Sequence, residues 1–279
     1  MVKLSLIDCG VIKCDGGATF GVVPKVLWQK KYPCDEDNFC AFSMRSLVID
    51  NGQQRILVDT GTGTKQSDKF FANNGVSDHH RMMPSLLEAG NQPEDITDVL
   101  LTHLHFDHCG GAVCYNDCGE LIPAFPNATY WCSRTQWENY LQPNIREGSV
   151  YFPENMMPLQ ERGLLKLVDQ EGDWYPGVSL RIFNGHTPGL LLPLIDYQQN
   201  KLFYVGDFIP LAANVPLAWV AAYDTSPLVS MEEKQLFLKE ACDQKYILVF
   251  QHDALNECCS LTATPKGIAV ERCFSLDEI

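Results

Sequence analysis

No stretch of this 279-residue chain is long and apolar enough to cross a bilayer, and the opening MVKLSLIDCG meets Asp8 too soon to form a secretory core. A cytoplasmic protein without membrane contact is therefore expected. Basic side chains are scarce: 21 Lys and Arg stand against 35 Asp and Glu, a formal charge of −14, which argues against an extended nucleic-acid surface. Low-complexity linkers are missing too, so residues 1–279 read as one domain, and 46% hydrophobic content suffices for a large core. Twelve cysteines occur without a single CxxC pair, and Cys109, Cys114 and Cys118 cluster without an obvious fourth zinc ligand. Reduced thiols acting as small apolar side chains are the expected use, with Cys109, adjoining His108, the exception to follow.

Histidine is also rare, and its distribution is uneven. Of seven in the chain, three fall with an aspartate inside THLHFDH, where His103, His105, Asp107 and His108 follow the apolar run Asp98 to Leu101. Imidazole and carboxylate are the donors that zinc, iron and manganese prefer. A loop at a strand end can turn His103 and His105 toward one centre and Asp107 and His108 toward another, and Gly110 and Gly111 then permit a sharp exit. Further donors stand where later apolar runs stop: His186 after Val178–Phe183, Asp207 after Lys201–Val205 and His252 after Tyr246–Phe250. Together these make seven donors held at strand ends.

Through THLHFDH, GHTPG at His186, YVGDF at Asp207, His252 and the earlier LVDTG of Leu57–Gly61, nearly the whole chain resembles the metallo-β-lactamase-fold hydrolase superfamily. The resemblance implies that His103, His105 and His186 hold one metal, that Asp107, His108 and His252 hold a second, that Asp207 bridges them and that Asp59 supports the metal loop from behind. It also implies an αββα sandwich of two mixed sheets flanked by helices, an α/β (α+β) fold. Two departures are Leu190, where the family often repeats a histidine, and the lack of a tyrosine close behind Asp207. GGATFGVVPKVLW at Gly16–Trp28, DEDN at Asp35–Asn38 and YDTSPLVS at Tyr223–Ser230 are similar to the branch of methyl parathion hydrolase and quorum-quenching lactonases.

Periodicity places strands near Val2–Ile7, Ser46–Ile49, Arg55–Val58, Leu164–Val168, Leu180–Phe183, Leu191–Ile195, Leu202–Val205 and Ile247–Phe250. Helices are expected near Pro84–Ala89, Ser133–Leu141 and Met231–Cys242, the last with Ser230 and Glu233 as a capping box. Phe20, Trp28, Phe106 and Phe208 are the expected apolar pocket, with core packing the competing use of Phe20 and Trp28.

Two metals sharing a water can leave hydroxide as the nucleophile near neutral pH, so the expected cofactor is two divalent ions, zinc by default and iron or manganese as alternatives. Asp107 is the candidate proton donor to the leaving group, Asp207 the bridge, and Tyr223 the candidate oxyanion donor. The expected reaction is hydrolysis of an apolar lactone or ester, like acyl-homoserine lactonases, with phosphotriester cleavage as a side activity. The partner expected is a small-molecule substrate, and homodimerisation stays open. Alternatives are a glyoxalase II-like thioesterase, for which 27 residues after His252 leave little room for a helical extension, and an iron-dependent persulfide dioxygenase. An aspartic protease built on Asp59 and Asp224 would leave the histidines unexplained, and an inert binding module would be expected to have lost a ligand.

Overall fold

The computed structural model describes residues 2–279. Two sheets stack face to face. The first has the order β1-β2-β3-β4-β7-β8, formed by β1 (Lys3–Asp15), β2 (Phe39–Asp50), β3 (Arg55–Val58), β4 (Asp98–Leu100), β7 (Thr129–Ser133) and β8 (Leu165–Val168). The second has the order β15-β14-β13-β12-β11-β10-β9. Its strands are β9 (Gly172–Tyr175), β10 (Val178–Phe183), β11 (Leu190–Tyr197), β12 (Asn200–Tyr204), β13 (Ile247–Val249), β14 (Cys258–Thr264) and β15 (Gly267–Phe274). A small hairpin pairs β5 (Val113–Tyr115) with β6 (Leu121–Pro123).

Leu47, Ile49, Ile56, Val58 and Leu100 of the first sheet meet Leu180, Leu191, Ile195, Leu202 and Val249 of the second in a shared inner core. Each outer face carries its own apolar layer under helices. Phe237, Leu238 and Ala241 of the helix Pro227–Asp243 cover Phe203 and Leu248 on one side, and the helix Met82–Glu88 brings Met82 and Leu86 to the other. Strands covered on both faces read as unbroken apolar runs, which is why Leu190–Ile195 shows no alternation.

The first two strands are longer than the apolar runs that announce them. β1 continues past Asp8 through a bulge at which Gly10 takes φ +99, and a side chain there would meet Ser77 O at 2.5 Å. Between β1 and β2 lie two short helices, Gly16–Phe20 and Lys25–Trp28.

The helix Pro227–Asp243 starts one turn before the expected box because Pro227 opens it behind Ser226. Ser230 lies inside the helix and donates to Asp224 Oδ2 at 2.6 Å, while Glu233 accepts from the backbone N–H of Asn184 and Gly185. These two residues tie down the loop that carries His186 rather than capping a helix.

β3, β4 and β7 run parallel, as do β12 and β13, and β10 shares the direction of β12 through antiparallel β11. The carboxyl ends of β3 and β4 therefore lie at one end of the first sheet, and those of β10, β12 and β13 at one end of the second. Among the described residues no helix is long and apolar enough to cross a membrane.

Candidate metal centre

Asp59 ends β3 with φ +59, a strained conformation for a non-glycine residue, and its backbone N–H donates to Leu100 O at 2.9 Å. That turn aims its buried carboxylate at the next loop. Thr102 donates to it twice, from N and Oγ1, both at 2.8 Å, and His108 Nδ1 lies 3.0 Å away. The loop then coils into the short helix Phe106–Cys109, with His108 N–H on His105 O. One turn thus separates Asp107 and His108 from His103 and His105. Gly110 and Gly111 close the loop against Thr62 and Thr60, whose carbonyl oxygens would lie 2.1 and 2.2 Å from an added Cβ.

The seven expected donors converge in two groups, His103, His105, His186 and Asp207 in one and Asp107, His108 and His252 in the other, each compact enough to hold an ion. Asp207 faces both. Its Oδ2 is 3.2 Å from His186 Nε2 and 3.9 Å from His103 Nε2, while its Oδ1 is 2.8 Å from His252 Nε2 and 3.3 Å from His108 Nε2. Asp107 Oδ2 is 3.5 Å from His108 Nε2. Ring nitrogens also crowd one another, with His103 Nε2 and His105 Nδ1 only 3.0 Å apart. Asp207 Oδ1 is buried with no donor aligned on it despite its close imidazoles. An orphaned carboxylate oxygen among inward-facing nitrogens is the arrangement a cation completes.

The outward nitrogens each have a partner. His105 Nε2 meets Glu147 Oε1 at 3.1 Å, His186 Nδ1 meets Asp224 Oδ1 at 3.0 Å, His252 Nδ1 meets Ser43 O at 2.8 Å and His103 Nδ1 meets Thr102 Oγ1 at 3.1 Å. Such partners fix ring orientation and tautomer. Sequence reasoning found Asp59 but missed Glu147, Thr102 and Ser43. Asp224 was noticed only as an aspartic-protease partner, whereas Asp59 and Asp224 each serve a different histidine.

Burial, with the charges of His108 and His105, holds the pKa of His103 well below its usual value, so that ring is neutral, the form in which an imidazole can bind a cation. Burial works to protonate Asp207, yet His108, His252 and His186 outweigh it and keep the carboxylate ionised. Glu147 behaves similarly: hydrogen bonds from His105, Thr187 and Asn139 overcome burial and hold it at about 2. Burial and the nearby Cys14, Asp207 and Asp224 push Tyr223 well above the ordinary phenol value, leaving a neutral O–H donor. Cys109 is wholly buried, donates to Leu104 O at 3.2 Å and is pushed up to about 12 by burial, so it packs as core.

A cavity of about 780 Å³ opens beside the donors, with Tyr223, Phe106, Ile12, Phe39, Phe42 and Val150 in its wall. Phe106 is where the expected pocket put it. Phe20 and Trp28 are not in that wall: both are fully buried, stacked at 5.0 Å between centroids, with Trp219 edge-on to Phe20. They pack behind the segment that carries Tyr223, which is pinned by Ala222 N–H on Ala18 O at 2.7 Å. Phe208 turns away from the cavity as well and stacks on Phe183 at 4.0 Å in the outer core.

A family model described as the metallo-beta-lactamase superfamily matches residues 45–252. The N-acyl homoserine lactonase of Bacillus thuringiensis is 27% identical over 163 residues, 55% of this chain and 58% of that protein, so the chain spans little more than half the length of the curated relatives it matches. Among solved structures, a probable metal-dependent hydrolase from Staphylococcus aureus superposes with a TM-score of 0.88 at 30% identity, covering 98% of this chain and 96% of its own. AidC, a dizinc quorum-quenching lactonase in complex with a product, N-hexanoyl-L-homoserine, gives 0.80 at 22% identity over 98% and 95%, a likeness of fold.

Proposed function

The chain belongs to the metallo-beta-lactamase superfamily, and from that membership we propose that it is a metal-dependent hydrolase that cleaves the carbonyl–oxygen bond of a lactone or ester with an apolar body. The observation that carries this reading is Asp207, whose two oxygens face two separate groups of imidazole and carboxylate donors. His103, His105 and His186 would hold one divalent ion and Asp107, His108 and His252 the other, with Asp207 between them. When bound, such a pair supplies an activated water and a Lewis acid for the substrate carbonyl.

The chain's own groups do the rest. Asp59, Glu147, Asp224 and the Ser43 carbonyl hold the rings in one tautomer, so little reorganisation is needed when substrate arrives. Tyr223 lines the cavity, with its ring 5.9 Å from that of His186 between centroids, and offers a neutral O–H to the oxygen on which charge develops. Asp107 presents a carboxylate at the cavity wall that takes a proton from the attacking water and passes it to the departing alkoxide. Ile12, Phe42, Phe106 and Val150 supply apolar surface for an acyl or aryl group.

Metal-loaded protein should be offered acyl-homoserine lactones, aryl esters, methyl paraoxon and a glutathione thioester. The reading expects lactone or aryl ester turnover that rises with acyl length. Turnover confined to the glutathione thioester would replace it with a thioesterase.

A further inference from the structure

We propose that the preferred substrate carries, besides its scissile carbonyl, an oxyanionic group, a carboxylate or a phosphate, and that Arg146 receives it. This rests on the carbonyl-hydrolysis reading of the same cavity. Arg146 is in the cavity wall together with Tyr223, Asp107 and His186. One of its terminal N–H groups reaches Ala222 O, beside Tyr223, and no carboxylate pairs with it among the described residues. Most of a five-donor guanidinium therefore stays free in the wall of the cavity that also holds the donors. Its place in the cavity wall is what sets Arg146 apart from the other arginines without a carboxylate partner. Lys13, the other cation in the wall, is already bound to Asp35 at 2.9 Å.

The mount of Arg146 is built rather than loose. Asn144 Oδ1 accepts from the backbone N–H of both Arg146 and Glu147, at 2.9 and 3.1 Å, forming a side-chain turn. From that turn the two neighbours diverge: Glu147 goes inward to His105 and Arg146 goes to Ala222 at the cavity. The same turn thus carries both the carboxylate that meets His105 and the arginine whose guanidinium reaches Ala222 O. A planar fork suits carboxylate or phosphate, and the apolar wall of Ile12, Phe39 and Phe42 takes the rest of the molecule.

The test uses the metal-loaded full chain and three matched series: 4-nitrophenyl butanoate, pentanoate and hexanoate; the corresponding monoesters of butanedioic, pentanedioic and hexanedioic acid; and their phosphonate-ended counterparts. At least one anionic ester is expected to exceed its neutral partner about tenfold in kcat/KM, mainly through KM, as suits one charge-assisted contact. Arg146→Gln should abolish that ratio, and Arg146→Lys should keep part of it. The better of the carboxylate and phosphonate series identifies the anion. Neutral esters processed as well at every length, or a preference that survives Arg146→Gln, would overturn the assignment. If no ester is hydrolysed, the proposed function fails, and calorimetric titration with pentanedioate and inorganic phosphate decides the anion site separately. Binding weakened tenfold by Arg146→Gln upholds it, and equal binding overturns it.

Discussion

Glu147→Gln is the most informative single change, because the surroundings of this carboxylate are all donors. Its Oε1 accepts from His105 Nε2 at 3.1 Å, Tyr151 OH at 2.9 Å and Thr187 Oγ1 at 2.5 Å, and its Oε2 accepts from the side-chain amides of Asn139 and Asn144. Glutamine keeps the shape but places an NH2 against two amide donors. Asn139 can flip to present its oxygen; Asn144 cannot, since its oxygen holds the turn at Arg146 and Glu147. Charge assistance is removed from all five bonds and one buried donor faces another, a cost of about 3–5 kcal/mol in stability. Metal affinity should fall about 10- to 100-fold as His105 loses its orienting partner. The assays are urea unfolding of metal-stripped protein and zinc competition against a chromophoric chelator. The pH dependence has a definite sign. Glu147 is held at about 2 against an ordinary 4.5, so its contribution is present above pH 4.5 and lost as pH falls toward 2. The stability gap between wild type and variant should narrow over that window. A wild-type unfolding midpoint together with wild-type zinc affinity in the variant would show that Glu147 neither stabilises the fold nor orients His105.

Other substitutions separate roles within the same site. Asp207→Ala should lower metal content and turnover together, because its two oxygens face both donor groups, whereas Asp107→Asn should keep much of its metal and lose turnover most severely for esters with poor leaving groups. Equal losses across leaving groups would argue against a proton role for Asp107. Trp28→Ala should cost about 3–5 kcal/mol in unfolding free energy as a core cavity, without altering acyl-length preference, while Phe106→Ala should flatten that preference in a kcat/KM series. Gly110→Ala drives a Cβ to within 2.1 Å of Thr62 O, and a fall of several degrees in melting temperature is expected.

The donor cluster of this protein was legible because metal chemistry restricts residue type and strand ends restrict position. His103, His105, Asp107, His108, His186, Asp207 and His252 stand where apolar runs stop, and the structure brings them together. Glu147 left no such mark: it lies in a loop 42 residues beyond His105, and only folding makes the two neighbours. Asp224 sits in a turn-like DTS, which suggests many uses, and its meaning comes from His186. The aromatic residues misled for a related reason. Phe20, Trp28 and Phe208 are near the site in sequence motifs, yet rings of that size contribute most when buried, and all three were drawn into the core instead of the cavity wall. Ser230 and Glu233 have the spacing of a capping box, but Pro227 begins the helix earlier and frees both to secure the His186 loop.

The proposed function requires two divalent ions, one in each donor group, with Asp207 between them. Metal content and turnover measured on the same preparation, through stepwise chelation and return of zinc, test it most directly. Close to two ions per chain at full activity, with lactone or ester turnover lost on chelation and restored as the second ion returns, is the predicted result. Full activity with one ion per chain would contradict it.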